Sequence, residues 1–146
     1  MARLIQLQTR SPFHHAALIA ENGEVFEAIG KPFPFGKVVK AKSFSSNHKP
    51  GEDIDVFEVT TPYMRTKSMK WMKKQIGKGY DYRSVLRFLT RVPAKKNQRY
   101  FCSELIFEYF TVGSLPLLKC IAAHNVSPRD LVLSPFLRHT ETWVTV

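Results

Sequence analysis

The sequence predicts an α+β fold in one domain, residues 1–146, on the basis of three observations. Strand-like apolar runs fill the first part of the chain, and after Pro62 the hydrophobic period becomes that of a helix. Strands that cluster early and helices that cluster late are typical of α+β proteins. The length of 146 residues suits a single domain, and 44% hydrophobic residues supply its core, which excludes a disordered chain.

The predicted strands follow from short apolar or alternating runs. Residues 3–9 predict the first strand. Residues 15–20 and 25–29 are two apolar runs joined by Glu-Asn-Gly-Glu, and Asn-Gly between such runs is a strong hairpin signal. Prolines 32 and 34 then predict a loop. Three further strands are predicted at residues 37–42, 54–60 and 143–146.

The predicted helices lie in the second half of the chain. Residues 64–76 place Met69, Met72 and Ile76 on one face and lysines around the rest, which predicts an amphipathic helix with a basic face. The remaining predicted helices are residues 84–91, residues 103–110, residues 115–123 and a short helix that begins at Ser127-Pro128. Serine is a favoured N-cap and proline suits the first helical turn, so this last start is well defined.

The charge of the chain predicts an anionic partner. Lys and Arg number 22 against 12 Asp and Glu, a formal net charge of +10. No recognition-helix or zinc-finger signature accompanies this charge, so specific binding to nucleic acid is not expected. The sequence also shows no transmembrane run and no signal-peptide core. With only two cysteines and no disulfide scaffold, we expect a cytoplasmic protein.

Cys102 is the candidate nucleophile. It lies where a basic loop meets the predicted helix at residues 103–110, and both the helix N-terminus and Arg99 favour the reactive thiolate. The alternative is that Cys102 is an inert, small hydrophobic residue, as we expect for Cys120. If Cys102 is activated, it should react with iodoacetamide faster than Cys120.

Histidine is the side chain best suited to act as general base for such a thiol. His15 opens the first strand of the predicted hairpin, whereas His48 in a polar loop and His139 near the terminus are expected to be solvated. His124 follows Cys120 by one helical turn, but a metal site there would need ligands that the sequence does not offer. We therefore expect no metal and no cofactor.

Glu27 is the candidate for orienting His15, and the hairpin register decides whether it can. A two-residue Asn-Gly turn places the two side chains on opposite faces, whereas a three-residue loop with a bulge at Gly23 makes them diagonal neighbours. The residues permit both registers. We favour the bulged loop, because a base for Cys102 needs an acceptor on its second ring nitrogen.

Four sequence blocks carry a family resemblance: RSPFHHAALI at residues 10–19, VFEA at 25–28, GYDY at 79–82 and YFCSELI at 100–106. In order and spacing they resemble the circularly permuted, papain-like cysteine hydrolases of the NlpC superfamily, and within it the YiiX-like branch. The resemblance extends from Leu4 to about Leu137. It implies a permuted papain-like fold, with a small antiparallel sheet or half-barrel packed against several helices.

The resemblance also implies roles for the matched residues. Cys102 would be the nucleophile, His15 the base and Glu27 the group that orients it, while the Cys102 backbone N–H would help to stabilise an oxyanion. The residues expected to bind substrate are Tyr80, Tyr82 and His14. His14 departs from the family pattern, where a small or polar residue is common, and it adds a second imidazole beside His15.

The leading functional hypothesis is a cysteine amidase or peptidase that works through a thioester acyl-enzyme. Its substrate would be a peptide, amide or acyl compound, such as a cell-wall peptide, and the positive charge favours an anionic one. A first alternative is a basic binding module without turnover, favoured by the lysines of residues 65–78. A second is a lipid acyltransferase of the lecithin–retinol type, which the lack of a terminal hydrophobic anchor disfavours.

Overall fold

The computed structural model describes residues 12–85 and 98–145, and it combines two antiparallel sheets with helices. This arrangement confirms the α+β class. The strand predicted at residues 3–9 lies outside the described residues, as does most of the helix predicted at residues 84–91. A helical turn does begin at residues 82–85.

The first sheet contains three strands in the order β1-β2-β3. Their bounds are Ala17–Ile19 for β1, Val25–Ile29 for β2 and Lys37–Ala41 for β3. β2 is the central strand and is buried along most of its length, as expected for a strand with a partner on each side. This sheet supplies the platform on which the candidate site is built.

The β1–β2 hairpin has the bulged three-residue loop. The Ala20 N–H donates to the Glu24 carbonyl at 2.8 Å, and the Gly23 N–H donates to the Ala20 carbonyl at 2.9 Å. Gly23 has φ +80°, a conformation that glycine adopts without a steric penalty. Ala17 consequently pairs with Glu27, which confirms the predicted register. Because side chains two positions apart share a face, Glu27 lies on the same face of the sheet as His15.

The second sheet pairs β4, Asp53–Val59, with β5, Leu137–Val144. The strand predicted at residues 54–60 is therefore confirmed to within one residue. The closing strand predicted at residues 143–146 begins earlier, at Leu137, and Val146 lies outside the described residues. A bulge between Val56 and Phe57 adjusts the pairing of the two strands.

Besides the turn at residues 82–85, the described residues form three α-helices after the first four strands: α1 at Arg65–Lys73, α2 at Cys102–Val112 and α3 at Pro128–Val132. α1 buries Met72 as predicted, but Ile76 lies beyond its end and is exposed. At α3 the Ser127 side chain and Asp130 form a capping box, which explains the sharp start there. None of the helices in the described part of the chain combines the length and apolar composition that a membrane crossing requires.

The prediction of a helix at residues 115–123 is wrong. This segment is irregular until a 3₁₀ turn at Ala123–Asn125. Leu115 and Leu117 are both buried, with Pro116 between them, and the Ser134 hydroxyl donates to the Leu117 carbonyl at 2.7 Å. The segment therefore satisfies its backbone through other parts of the chain, and Cys120 takes φ +59° in the exposed part of the loop.

α2 occupies the centre of the molecule and determines where Cys102 lies. It contacts β1, β2, α1 and α3, and its buried face includes Leu105 and Tyr109, packed with Phe26 of β2. Just before α2, the Tyr100 N–H donates to the Gly79 carbonyl at 3.1 Å, which ties this segment to the edge of β3. The N-terminus of α2 is thus held next to the β1–β2 hairpin.

Candidate active site

His15 and Glu27 form a direct hydrogen bond across the hairpin. Nε2 of His15 lies 2.7 Å from Oε2 of Glu27. The Glu27 side chain is fully buried in the centre of β2, whereas the His15 side chain keeps 20% of its surface exposed. The register described above produces this contact, because it makes the two residues diagonal neighbours on one face of the sheet.

Cys102 is the first residue of α2 and contacts the other side of the His15 ring. The imidazole hydrogen-bonds the Cys102 sulfur as well as the Glu27 carboxylate. Since Nε2 contacts Glu27, Nδ1 is the ring nitrogen left to interact with the thiol. The backbone of Ala16 and of Ser103 also lowers the pKa of the thiol. The structure therefore places Cys102 beside the hydrogen-bonded pair of His15 and Glu27.

The pKa values of these three residues favour a thiolate–imidazolium pair. Burial lowers the pKa of His15, but its hydrogen bonds to Cys102 and Glu27 outweigh burial and raise it to about 10. Burial raises the pKa of Cys102, but the hydrogen bond to His15, the charge of His15 and the backbone of Ala16 and Ser103 together outweigh burial and bring it below the ordinary value. Burial also raises the pKa of Glu27, yet hydrogen bonds to His15 and His48 lower it to about 2. At neutral pH, Glu27 is therefore a carboxylate.

His48 belongs to the site, and the expectation that it is solvated is wrong. Its side chain is only 15% exposed, and Nε2 lies 2.8 Å from the same Glu27 oxygen that His15 contacts. The ring stacks on Phe44 with centroids 4.0 Å apart. Nδ1 lies 3.2 Å from Oε2 of Glu52.

The position of His48 follows from the pairing of β3 with β2, which the sequence pattern does not reveal. β3 ends with Ala41 paired to Val25, two residues from Glu27, so the loop after β3 starts close to the site. In that loop, Asn47 donates from Nδ2 to Oε1 of Glu27 at 2.9 Å. The loop therefore supplies partners to both oxygens of the buried carboxylate.

The other predicted site residues have different surroundings. Tyr80 is buried close to Cys102, and burial together with the charge of Cys102 raises its pKa. The Tyr82 hydroxyl donates to the Gly30 carbonyl at 3.0 Å and accepts from the Gly36 N–H at 2.8 Å, so it holds the loop between β2 and β3. His14 lines a groove on the imidazole side of the site.

A groove of about 1600 Å³ runs along the imidazole side of the site. Histidines line one part of it and basic residues of α1 line another: His14, His15, His48, Arg65, Lys70 and Lys73. Cys102 does not line this groove and is only 1% exposed. Of the three predicted site residues, His15 lines the groove, whereas the thiol of Cys102 is buried behind it.

Comparison with known proteins adds no family: no family model matches the chain, and a search of curated proteins finds no significant match. The resemblance to permuted papain-like hydrolases therefore rests on the four sequence blocks.

Proposed function

We propose that the protein is a cysteine amidase or peptidase with a permuted papain-like fold, acting through a thioester acyl-enzyme. One observation supports the proposal: the His15 imidazole hydrogen-bonds the buried Glu27 carboxylate, and the Cys102 thiol raises the pKa of the same imidazole. A nucleophile, a base and a group that orients the base are what thiol hydrolysis requires. The lowered pKa of Cys102 increases the share of the attacking thiolate.

Acylation begins with attack of the Cys102 thiolate on the carbonyl carbon of an amide, which forms a C–S bond and an oxyanion. The backbone N–H of Cys102 lies in the first turn of α2, where N–H groups have no partner within the helix, and it is placed to stabilise that oxyanion. The His15 imidazolium gives its proton to the amide nitrogen as the C–N bond breaks. An amine leaves, and a thioester remains on Cys102.

Deacylation uses the same residues, but His15 now accepts a proton instead of donating one. Neutral His15 accepts a proton from water as the water oxygen attacks the thioester carbon. The C–S bond then breaks, the acid product leaves, and the thiolate–imidazolium pair is restored. Throughout the cycle, Glu27 keeps Nε2 of His15 hydrogen-bonded, so that Nδ1 remains directed at the sulfur.

The lysines on the α1 wall of the groove favour a substrate with an anionic group at that wall, while acidic side chains line other parts of the groove. Lys70 and Lys73 are exposed on its α1 side, whereas Arg65 on the same side pairs with Glu21. A carboxylate on an acyl or peptide substrate would be attracted to this side while its reactive carbonyl approaches His15. Cell-wall peptides and acyl compounds with free acid groups have this chemistry. The nucleophile must stay reduced, which agrees with the cytoplasmic location expected from the sequence.

The test uses p-nitrophenyl acetate as a small acyl donor. We expect a burst of p-nitrophenolate, an acetyl group on Cys102 in acid-quenched protein analysed by peptide mass spectrometry, and slower turnover. Cys102→Ala should abolish the burst, and Cys120→Ser is the matched control that should keep it. Acetylation of Cys120 alone, or no burst, would contradict the proposal.

The same assay separates the two alternative functions. An acetyl-Cys102 that forms but is never hydrolysed would favour a binding module. Transfer of the acetyl group to an added lipid alcohol or amine, rather than to water, would favour an acyltransferase. Turnover with release of acetate supports the hydrolase, and a screen of labelled muropeptides and acyl lipids then identifies the substrate class.

A further inference from the structure

Three potential metal ligands meet at the buried carboxylate. Oε2 of Glu27 lies 2.7 Å from Nε2 of His15 and 2.8 Å from Nε2 of His48. The three atoms all lie within 4.8 Å of one another. Two imidazoles and one carboxylate are a common ligand set for Zn²⁺ and related divalent transition metals in proteins.

The outer shell of such a site is already in place. Metal-binding histidines usually donate their second ring N–H to an acceptor, often a carboxylate, which fixes the ring. Nδ1 of His48 lies 3.2 Å from Oε2 of Glu52, and the ring of His15 hydrogen-bonds Cys102 on its other side. The free oxygen of Glu27 accepts from Asn47. Each of the three ligand side chains is thus oriented by a partner outside the proposed ligand set.

We propose that His15, Glu27 and His48 bind one divalent transition-metal ion, with Zn²⁺ as the representative. At Zn–N and Zn–O distances of about 2.0–2.2 Å, tetrahedral ligand atoms lie about 3.3 Å apart, so the two short contacts to Glu27 open by about 0.5 Å. The ion takes the place of the protons that these contacts hold. Both imidazoles line the groove, which gives the ion a route in and leaves a fourth position for water.

Metal binding would switch off the chemistry of Cys102, and this part of the inference rests on the proposed function. An ion on Nε2 of His15 leaves only Nδ1 to exchange protons, and Nδ1 already carries the proton of the neutral ring. His15 then no longer alternates between imidazole and imidazolium. It can neither protonate the leaving amine nor activate water. The metal site would be an inhibitory site built from the base of the enzyme.

The test titrates the full chain with Co²⁺ and with Zn²⁺ after treatment with a chelator. We expect one ion per chain and a Co²⁺ spectrum without a thiolate-to-metal charge-transfer band. Glu52→Gln should weaken binding by about 10–100-fold, as loss of outer-shell partners does elsewhere, and His48→Ala should weaken it further. Circular dichroism checks that both variants fold.

His139→Ala is the matched control, because His139 also contacts a carboxylate, at 3.1 Å from Asp55, but lies on the exposed face of the second sheet. It should bind the metal as the wild type does, and so should Cys102→Ser. Full binding by His48→Ala, or loss of binding in Cys102→Ser with a thiolate charge-transfer band in the wild type, would overturn the site.

Activity is measured separately with p-nitrophenyl acetate. One bound Zn²⁺ should suppress the burst in the wild type, and a chelator should restore it. Metal binding with an unchanged burst would overturn the inhibitory role alone. Metal binding in a chain that shows no burst at all would leave the site intact and contradict the proposed function instead.

Discussion

Glu27→Gln removes one negative charge from the buried centre of the site with little change in side-chain shape. Burial raises the pKa of the Glu27 carboxyl, but hydrogen bonds to His15 and His48 lower it from 4.5 to about 2. Because one pKa unit corresponds to about 1.4 kcal/mol, the ionised carboxylate contributes about 3 kcal/mol to the free energy of unfolding at neutral pH. We expect Glu27→Gln to lose most of that amount at pH 7.

The contribution of Glu27 to the free energy of unfolding should depend on pH. Since the folded-state pKa of Glu27 is lowered, its contribution is fully present above about pH 4.5 and is lost as the pH falls toward about 2. Urea unfolding followed by circular dichroism, in buffer with a chelator, measures the free energy of unfolding at several pH values. The difference between wild type and Glu27→Gln should be largest at neutral pH and should narrow in acid.

Glu24→Gln is the matched control in the same hairpin. Glu24 pairs with Lys40 at 2.6 Å, but both side chains are partly exposed, and exposed ion pairs contribute little to stability. We therefore expect a much smaller effect than for Glu27→Gln. Equal losses in the two variants, or a Glu27→Gln deficit that stays constant from neutral pH into acid, would refute the reasoning from buried hydrogen bonds.

Two further predictions concern the thiol and the basic wall of the groove. Alkylation of Cys102 by iodoacetamide should rise less steeply between about pH 6 and pH 8 in the wild type than in His15→Ala, because His15 lowers the pKa of the thiol. Peptide mass spectrometry measures the ratio of the rates at the two pH values, in which restricted access to the buried thiol cancels. Equal ratios in the two proteins would contradict the ion pair. Reversing Lys70, Lys73 and Lys74 to Glu should raise the KM for an anionic p-nitrophenyl hemisuccinate, less so at high salt, and leave the KM for the neutral acetate unchanged. Lys37→Glu, at an exposed lysine away from the groove, is the control, and loss of kcat with the neutral ester would place α1 in the reaction itself.

Local signals predicted much of this fold, and long-range contacts explain the parts they missed. The hairpin follows from Asn-Gly between two apolar runs, but its register was chosen on chemical grounds, because β2 carries apolar residues on both faces. His48 had no periodic signal, since a loop brings it to Glu27 from the end of β3. The apolar residues 115–123 suggested a helix, yet Leu117 is held by a hydrogen bond from Ser134, which sequence periodicity cannot reveal.

During synthesis the acid–base half of this site leaves the ribosome first, because His15, Glu27 and His48 all precede Cys102. Their contacts lie within one hairpin and the loop that follows it, so they close over short stretches of chain and form early. Cys102 joins only when α2 packs on β1 and β2, across a long separation in sequence. The docking of α2 therefore both buries that thiol and brings it beside His15.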